Sequence, residues 1–393
     1  MTMRARLPDV QRVLTPGRVD FAWGHPADDL LPVADLRAAA VEALGRDGAL
    51  ALAYGASQGP GRLLTPLAAR LARIEGRAIA PDNLLVTGGV SQALDLLCTL
   101  HTRPGDVVLV ESPCYHIAPR IFRDHGLDLW PAPADADGPR LDALLDALDR
   151  ARRDRRRVRF LYTVPTFSNP TGRTAPPERR LALVEFAARH DLTIVEDDVY
   201  RELWYDAPPP PALRSYSVSG ASTRVVRLGS FSKILAPGLR LGWMEADADL
   251  APRAMDSGML DSGGGVNHLT AHIVADYLRR GLLDAHVAGL RAAYRARRDR
   301  LMTALRRHLP SAYSFDAPGG GYFVWVRAPD GVDTTRLLTR AEAAGVSYVP
   351  GALFHGDGGD GVDRRHLRLS FSLLSPAEMD EGARRLASVL SPE

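Results

Sequence analysis

The hydrophobic pattern changes character along the chain. Up to about residue 80 it repeats at helical intervals. Leu36, Ala40 and Leu44 fall on one face of a segment that starts at Val33, and Leu63, Leu67, Leu71 and Ile74 line one side of the next. From there short apolar runs alternate with helical ones. Leu84-Leu85-Val86-Thr87, Val107 to Val110, Val158 to Tyr162, Leu192 to Val195 and Arg224 to Gly229 read as buried strands. Val90 to Leu100 and Leu141 to Ala151 between them have helical spacing. Such βα alternation predicts a mainly parallel sheet.

The last third reads differently. A helix over Leu269–Leu278 precedes a long, Arg-rich amphipathic helix over residues 284–308, which joins two lobes. Phe315 to Val326 is a turn and an alternating strand, Val346 to Gly351 a further strand, and His366 to Ser372 another alternating strand. Leu203 to Pro211 reads as a proline-rich surface loop. Residues 255–265, with Ser262-Gly263-Gly264-Gly265, read as a break before a helix, and Gly356 to Gly361 as a surface connector.

Composition narrows the class. The chain has 393 residues, 46% hydrophobic and 24% charged, with a formal net charge of +2. These values fit a soluble globular protein of two or three lobes, with no nucleic-acid or membrane partner. Arg152 to Arg157 is a basic run, but it caps a helix and has no interleaved aromatics, so a solvated helix end is expected. There are two cysteines, Cys98 and Cys114, no apolar leader over Met1–Val10 and no run of membrane-spanning length. A cytoplasmic location is expected. His268 and His272 stand four apart without a completing Glu, so no metal site is expected.

One residue stands out chemically. Lys233 is the only lysine; every other basic side chain of the Lys/Arg pair is arginine. Arginine stays protonated at any working pH, whereas lysine can lose its proton and act as a nucleophilic amine. Ser230, Ser232 and Arg240 around it would suit a phosphate. Gly88-Gly89 leads a strand into a helix whose N-terminal N–H groups also suit an anion. Glu196-Asp197-Asp198 ends a strand, where an α/β sheet places its crevice site. Asn is scarce (Asn83, Asn169 and Asn267), and Asn169 lies in the tight turn Ser168-Asn169-Pro170-Thr171-Gly172.

The stretch from Ser230 to Trp243 resembles the lysine segment of fold-type I pyridoxal-phosphate enzymes. The likeness is to class I/II aminotransferases, in the subgroup of the aminoadipate and kynurenine enzymes. It extends from about Tyr54 to Phe371, with the motifs in family order. It implies a large domain with a mainly parallel seven-stranded sheet, residues 50–285, and a smaller α+β domain from residues 1–49 and 286–393. It implies pyridoxal 5′-phosphate, bound as a Schiff base on Lys233. By the same resemblance Gly89, Val90, Ser91, Ser230, Ser232 and Arg240 hold the phosphate, helped by Tyr54 from the partner subunit of a homodimer with shared sites. Tyr115 stacks on the ring, Asp197 pairs with the ring nitrogen, and Asn169 and Tyr200 meet the phenolic oxygen. Arg368 binds the substrate α-carboxylate, with Asn169 and Gly24 at the substrate. Asp198 is structural. The chain has Val90 where the family often has a polar side chain, and Gly24-His25-Pro26 departs from the common wording, which leaves the substrate open.

The implied reaction moves an amino group between an α-amino acid and a 2-oxo acid. The alternative is other carbanion chemistry on the same fold: β- or γ-substitution, decarboxylation or oxidation. These share Lys233, Asp197 and Asn169. The regulators that carry an added winged-helix domain on this fold are disfavoured.

Overall fold

The computed structural model describes residues 10–216, 224–247, 250–356 and 362–390. A two-residue strand β1 (Val19–Asp20) comes first. The large sheet is then built from β2 (Leu84–Thr87), β3 (Val107–Ser112), β4 (Asp128–Asp135), β5 (Gly138–Pro139), β6 (Val158–Thr163), β7 (Thr193–Asp197), β8 (Val225–Ser230) and β9 (Gly242–Glu245). Its order is β2-β9-β8-β7-β6-β3-β4-β5. Strands β8, β7, β6, β3 and β4 run parallel, β9 is antiparallel to both its neighbours, and β5 folds back on β4. The expected seven strands are present, and the two-residue β5 makes an eighth.

The apolar runs are continuous because alternate residues serve opposite cores. Val108 and Val110 pack with Leu94, Leu97 and Phe122 on one face, while Val107 and Leu109 pack with Leu144, Leu148, Leu183 and Ala187 on the other. Two helices supply each cover, at Val90–His101 and Ala118–Asp124 against Leu141–Arg153 and Pro177–His190.

Four further strands, β10 (Ser314–Phe315), β11 (Phe323–Arg327), β13 (Val349–Pro350) and β14 (His366–Ser370), form an antiparallel sheet in the order β10-β11-β14-β13. β12 (Val346–Ser347) pairs instead with β1, in parallel. The single strand expected over Val346–Gly351 is therefore split. Val346 and Ser347 pair with the N-terminal arm, Val349 and Pro350 with β14. The helix Leu282–His308 carries the chain from the large sheet to this smaller one.

Two other expectations need correction. Leu203–Pro211 is only partly a surface loop: Leu203 and Tyr205 are buried, and Trp204 bridges to Gly320. Residues 258–263 are not a break but a short helix, Gly258–Gly263, ended by Gly264 and Gly265 at positive φ. These two glycines lie against the loop after Tyr54. A Cβ on Gly265, at φ +80°, would stand 2.3 Å from the Ala56 carbonyl, so only glycine fits this close approach. The connector expected over Gly356–Gly361 lies almost wholly outside the described residues. Arg152, Arg153, Arg155 and Arg157 are exposed; Arg152 pairs with Asp149 and Arg157 with Asp106, as a solvated helix end does. No helix among the described residues is long and apolar enough to cross a membrane.

Candidate active site

The parallel strands deliver their chemistry at their carboxyl ends. β2 leads to Gly89, β3 to Tyr115, β6 to Asn169, β7 ends on Asp197 and precedes Tyr200, and β8 leads to Lys233. This is where an open α/β sheet leaves a crevice.

Lys233 is half-buried, and its Nζ donates to the Gly24 carbonyl at 2.9 Å. Its main-chain carbonyl accepts from the Tyr322 hydroxyl at 3.1 Å, which fixes the base of the side chain. Burial lowers the amine's pKa from 10.5 to about 8. The Arg368 and Arg240 charges add to this, and Asp197 opposes it.

Asp197 is buried, and its Oδ2 accepts from the Tyr162 hydroxyl at 2.6 Å. Its Oδ1 is buried with no partner. Burial raises the carboxyl to about 6, against the pull of the Tyr162 hydrogen bond; Asp198 pushes the same way as burial, and Lys233 pulls down. Asp198 itself turns away into an ionic cluster: Arg227 Nε donates to its Oδ2 at 2.9 Å, and Arg227 also pairs with Glu75 at 2.8 Å.

Arg368 comes from β14 of the small sheet. Its Nη1 donates to Asn169 Oδ1 at 2.8 Å and its Nη2 to the Ala22 carbonyl at 2.5 Å, while Nε is buried without a partner. The guanidinium lies over Phe323, 4.1 Å from the ring centre, with Phe354 at 5.2 Å. Burial lowers even this pKa, to about 10. The described residues place no carboxylate against it. A buried cation held only by neutral acceptors is incomplete without an anion.

A second cluster lies at Gly88-Gly89. Gly89, at φ +87°, caps the helix Val90–His101, and a Cβ there would stand 3.0 Å from Arg240 Nη2. Arg240 Nη2 donates to the Gly88 carbonyl at 3.1 Å. Ser230 is buried and its Oγ accepts from the Ser232 N–H at 3.0 Å; Ser91 is exposed and Val90 partly buried. A cation beside a helix N-terminus and serine hydroxyls has the chemistry that suits a phosphate.

Tyr200 is buried edge-on to Tyr322 and Phe323, and Tyr115 is partly buried edge-on to His116. Tyr54 stands apart: it is 88% exposed. Reading the sequence missed Tyr162, Tyr322 and the Ala22 carbonyl as contacts of the site; Gly24 was expected at the substrate, and here its carbonyl accepts from Lys233. Also missed was Glu111, a buried carboxyl that accepts from Thr163 Oγ1 at 2.7 Å and Val164 N–H at 2.9 Å and that burial raises to about 7. His272 Nδ1 meets Asp47 Oδ2 at 2.6 Å and His268 Nε2 meets the Leu50 carbonyl at 3.0 Å, so each has a protein partner.

The model of aminotransferase class I and II matches residues 16–386. The chain belongs to that family. It is 34% identical over 383 residues to an aromatic-amino-acid aminotransferase of Thermococcus litoralis, covering 97% of this chain and 90% of the relative. The kynurenine aminotransferase of Pyrococcus horikoshii, solved with PMP, superimposes with a TM-score of 0.88 at 33% identity, covering 96% of this chain and 91% of that one. The α-aminoadipate aminotransferase of Thermus thermophilus, solved with N-(5′-phosphopyridoxyl)-L-leucine, gives 0.82 at 34% identity, covering 95% and 92%. This aminotransferase is thus an enzyme that transfers an amino group between an amino acid and a 2-oxo acid.

Proposed function

We propose that the enzyme works with pyridoxal 5′-phosphate, with Lys233 as the lysine that carries it. The observation that carries this reading is the lone half-buried lysine under the charge of Arg368, a buried cation with no carboxylate partner among the described residues, and Asp197, a buried acid with one oxygen unpartnered among them. The residues fit the group. Asp197 Oδ1 is an orphaned acceptor suited to a ring N–H⁺. The Gly89, Val90, Ser91, Ser230, Ser232 and Arg240 cluster suits its phosphate, and Tyr115, Asn169 and Tyr200 are assigned to its ring.

When bound, the cofactor supplies an aldehyde for the amine and a ring that accepts electrons from the substrate carbon. The chain's own residues do the rest. Arg368 binds the amino acid's α-carboxylate, giving up its hold on neutral acceptors for a charge-assisted pair. Lys233 Nζ, a free amine in appreciable fraction near pH 8, takes the proton from the substrate Cα. Held in place, it returns that proton without a bimolecular encounter. Asp197, kept anionic, holds positive charge on the opposite side.

The enzyme is further proposed to act as a homodimer with shared sites, dividing into residues 50–285 and 1–49 plus 286–393. Support comes from exposed apolar side chains in the segment that leads to Tyr54: Val41, Leu44, Leu50 and Leu52. Mixing the purified protein with pyridoxal phosphate and a panel of amino donors tests the activity. A colourless protein that ignores the cofactor would end the reading. Ammonia or carbon dioxide released in repeated turnover without an acceptor would point to other carbanion chemistry.

A further inference from the structure

Tyr162 lies on β6, beside the strand that ends on Asp197. Its ring is wholly buried, with Phe122 edge-on at 5.6 Å. The hydroxyl donates to Asp197 Oδ2 at 2.6 Å, and Oδ1 is left buried and unpartnered. A phenol donates only while protonated. Burial, then the Asp197 charge, raises the Tyr162 pKa well above its ordinary value, so the donor persists at working pH.

The charges around Asp197 do not do this job. From its own strand Asp198 repels, and from the loop after β8 Lys233 attracts. From the loop after β3 come Cys114 and Tyr115, and after β7 Tyr200; burial raises all three, so they stay neutral. Tyr162 is the one hydrogen-bond donor to the carboxylate among the described residues.

We propose that Tyr162 is a positioning residue for Asp197. Its hydroxyl engages one carboxylate oxygen, turns the other to the cleft, and keeps the group an anion for the protonated ring nitrogen of the cofactor. The inference rests on the pyridoxal-phosphate reading above. With the hydroxyl removed, both oxygens would be buried without a donor. The group would then take up a proton, and a neutral acid has no charge to offer an N–H⁺.

The test uses the apo-protein and two ligands, pyridoxal phosphate and its analogue with the ring nitrogen replaced by C–H. Binding of each is followed by absorbance for wild type and Tyr162→Phe. Loss of a hydrogen bond to a charged group predicts roughly tenfold or greater weakening for the cofactor. The analogue should lose much less. The variant's Asp197 should also take its proton at higher pH, so the acid side of the cofactor-binding profile moves up by about one unit. Equal losses for the two ligands, or an unmoved profile, overturn the inference and mark Tyr162 as packing only. If Tyr162→Phe does not fold, 3-fluorotyrosine at position 162 replaces it. That more acidic phenol donates more strongly, so the profile must move to lower pH, and an unmoved profile again overturns the inference. Wild type that binds neither ligand overturns the cofactor reading and this inference together.

Discussion

Arg368 Nη1 donates a 2.8 Å hydrogen bond to Asn169 Oδ1, joining residues 199 positions apart and the small sheet to the large one. A guanidinium has no acceptor, so it can meet only the oxygen of the amide. Asn169 is therefore oriented by the residue proposed to bind the substrate.

Arg368→Ala should raise the substrate concentration needed for half-maximal rate far more than a surface arginine change such as Arg153→Ala. A charge-assisted pair is worth about 1.5–3 kcal/mol, roughly ten- to a hundredfold in affinity. Steady-state kinetics over a range of amino-acid concentrations reads this. A variant with unchanged half-saturation would place the carboxylate elsewhere.

Lys233 should be the residue that borohydride links to the cofactor. Wild type should yield a reduced adduct on the peptide containing Lys233, and Lys233→Ala should yield none. Mass spectrometry of the digest decides, and an adduct surviving in Lys233→Ala would remove this lysine from its role.

The same residue has a stability signature. Its folded-state pKa, about 8, lies below the ordinary 10.5. Below pH 8 it is charged both folded and unfolded, and burial of the charge costs the folded state. That cost fades as pH rises from 8 to 10.5. The apo-form of Lys233→Met should therefore be more stable than apo wild type at pH 7, by about 3 kcal/mol, and the charge-related part of the gap should close by pH 10.5. Urea titrations at the two pH values compare them; a gap that widens with pH contradicts the argument.

Tyr54 is predicted to serve the neighbouring subunit. Lys233→Ala and Tyr54→Ala chains, each inactive as homodimers, should regain part of the activity when refolded together. No recovery in verified mixed dimers would confine Tyr54 to its own chain or to no role.

Gly265→Ala should disturb that same loop, because the added methyl meets the Ala56 carbonyl at a positive-φ position. A cost of about 1–3 kcal/mol is expected, with a loss of activity that mixing with Lys233→Ala chains only partly restores. Thermal unfolding and the mixing assay check it.

Five strands of the large sheet were legible because they announce themselves locally: Val107–Val110 and Leu192–Val195, for example, are apolar on both faces and lead into polar turns. β4, which carries Pro131 and Pro133, and the short β9 at Gly242–Glu245 have no such run and were not read. Lys233 was legible by being unique, and Asp197 by closing such a strand. Tyr162 was not, because a tyrosine within an apolar strand has the same local pattern whether its hydroxyl meets a carboxylate or nothing. Glu111 was missed likewise: its burial depends on the fold of Thr163 and Val164, some fifty residues away. The split of Val346–Pro350 between two sheets depends on the arm at Val19–Asp20, which no periodicity within the segment reveals.

The arm acts as a ruler. The Gly24 carbonyl holds Lys233 of the large lobe, and the Ala22 carbonyl holds Arg368 of the small one. The arm is itself fixed to the small lobe, where Phe21 N–H donates to the Ser347 carbonyl and Ser370 N–H to the Phe21 carbonyl. The groups assigned to the two ends of an amino acid, its amine and its carboxylate, are thus spaced by one short piece of main chain. Inserting a single residue between Ala22 and Gly24 would lengthen that gauge by about 3.3 Å, more than the span of a hydrogen bond. Substitutions in the side chains of Trp23 or His25 leave the gauge as it is.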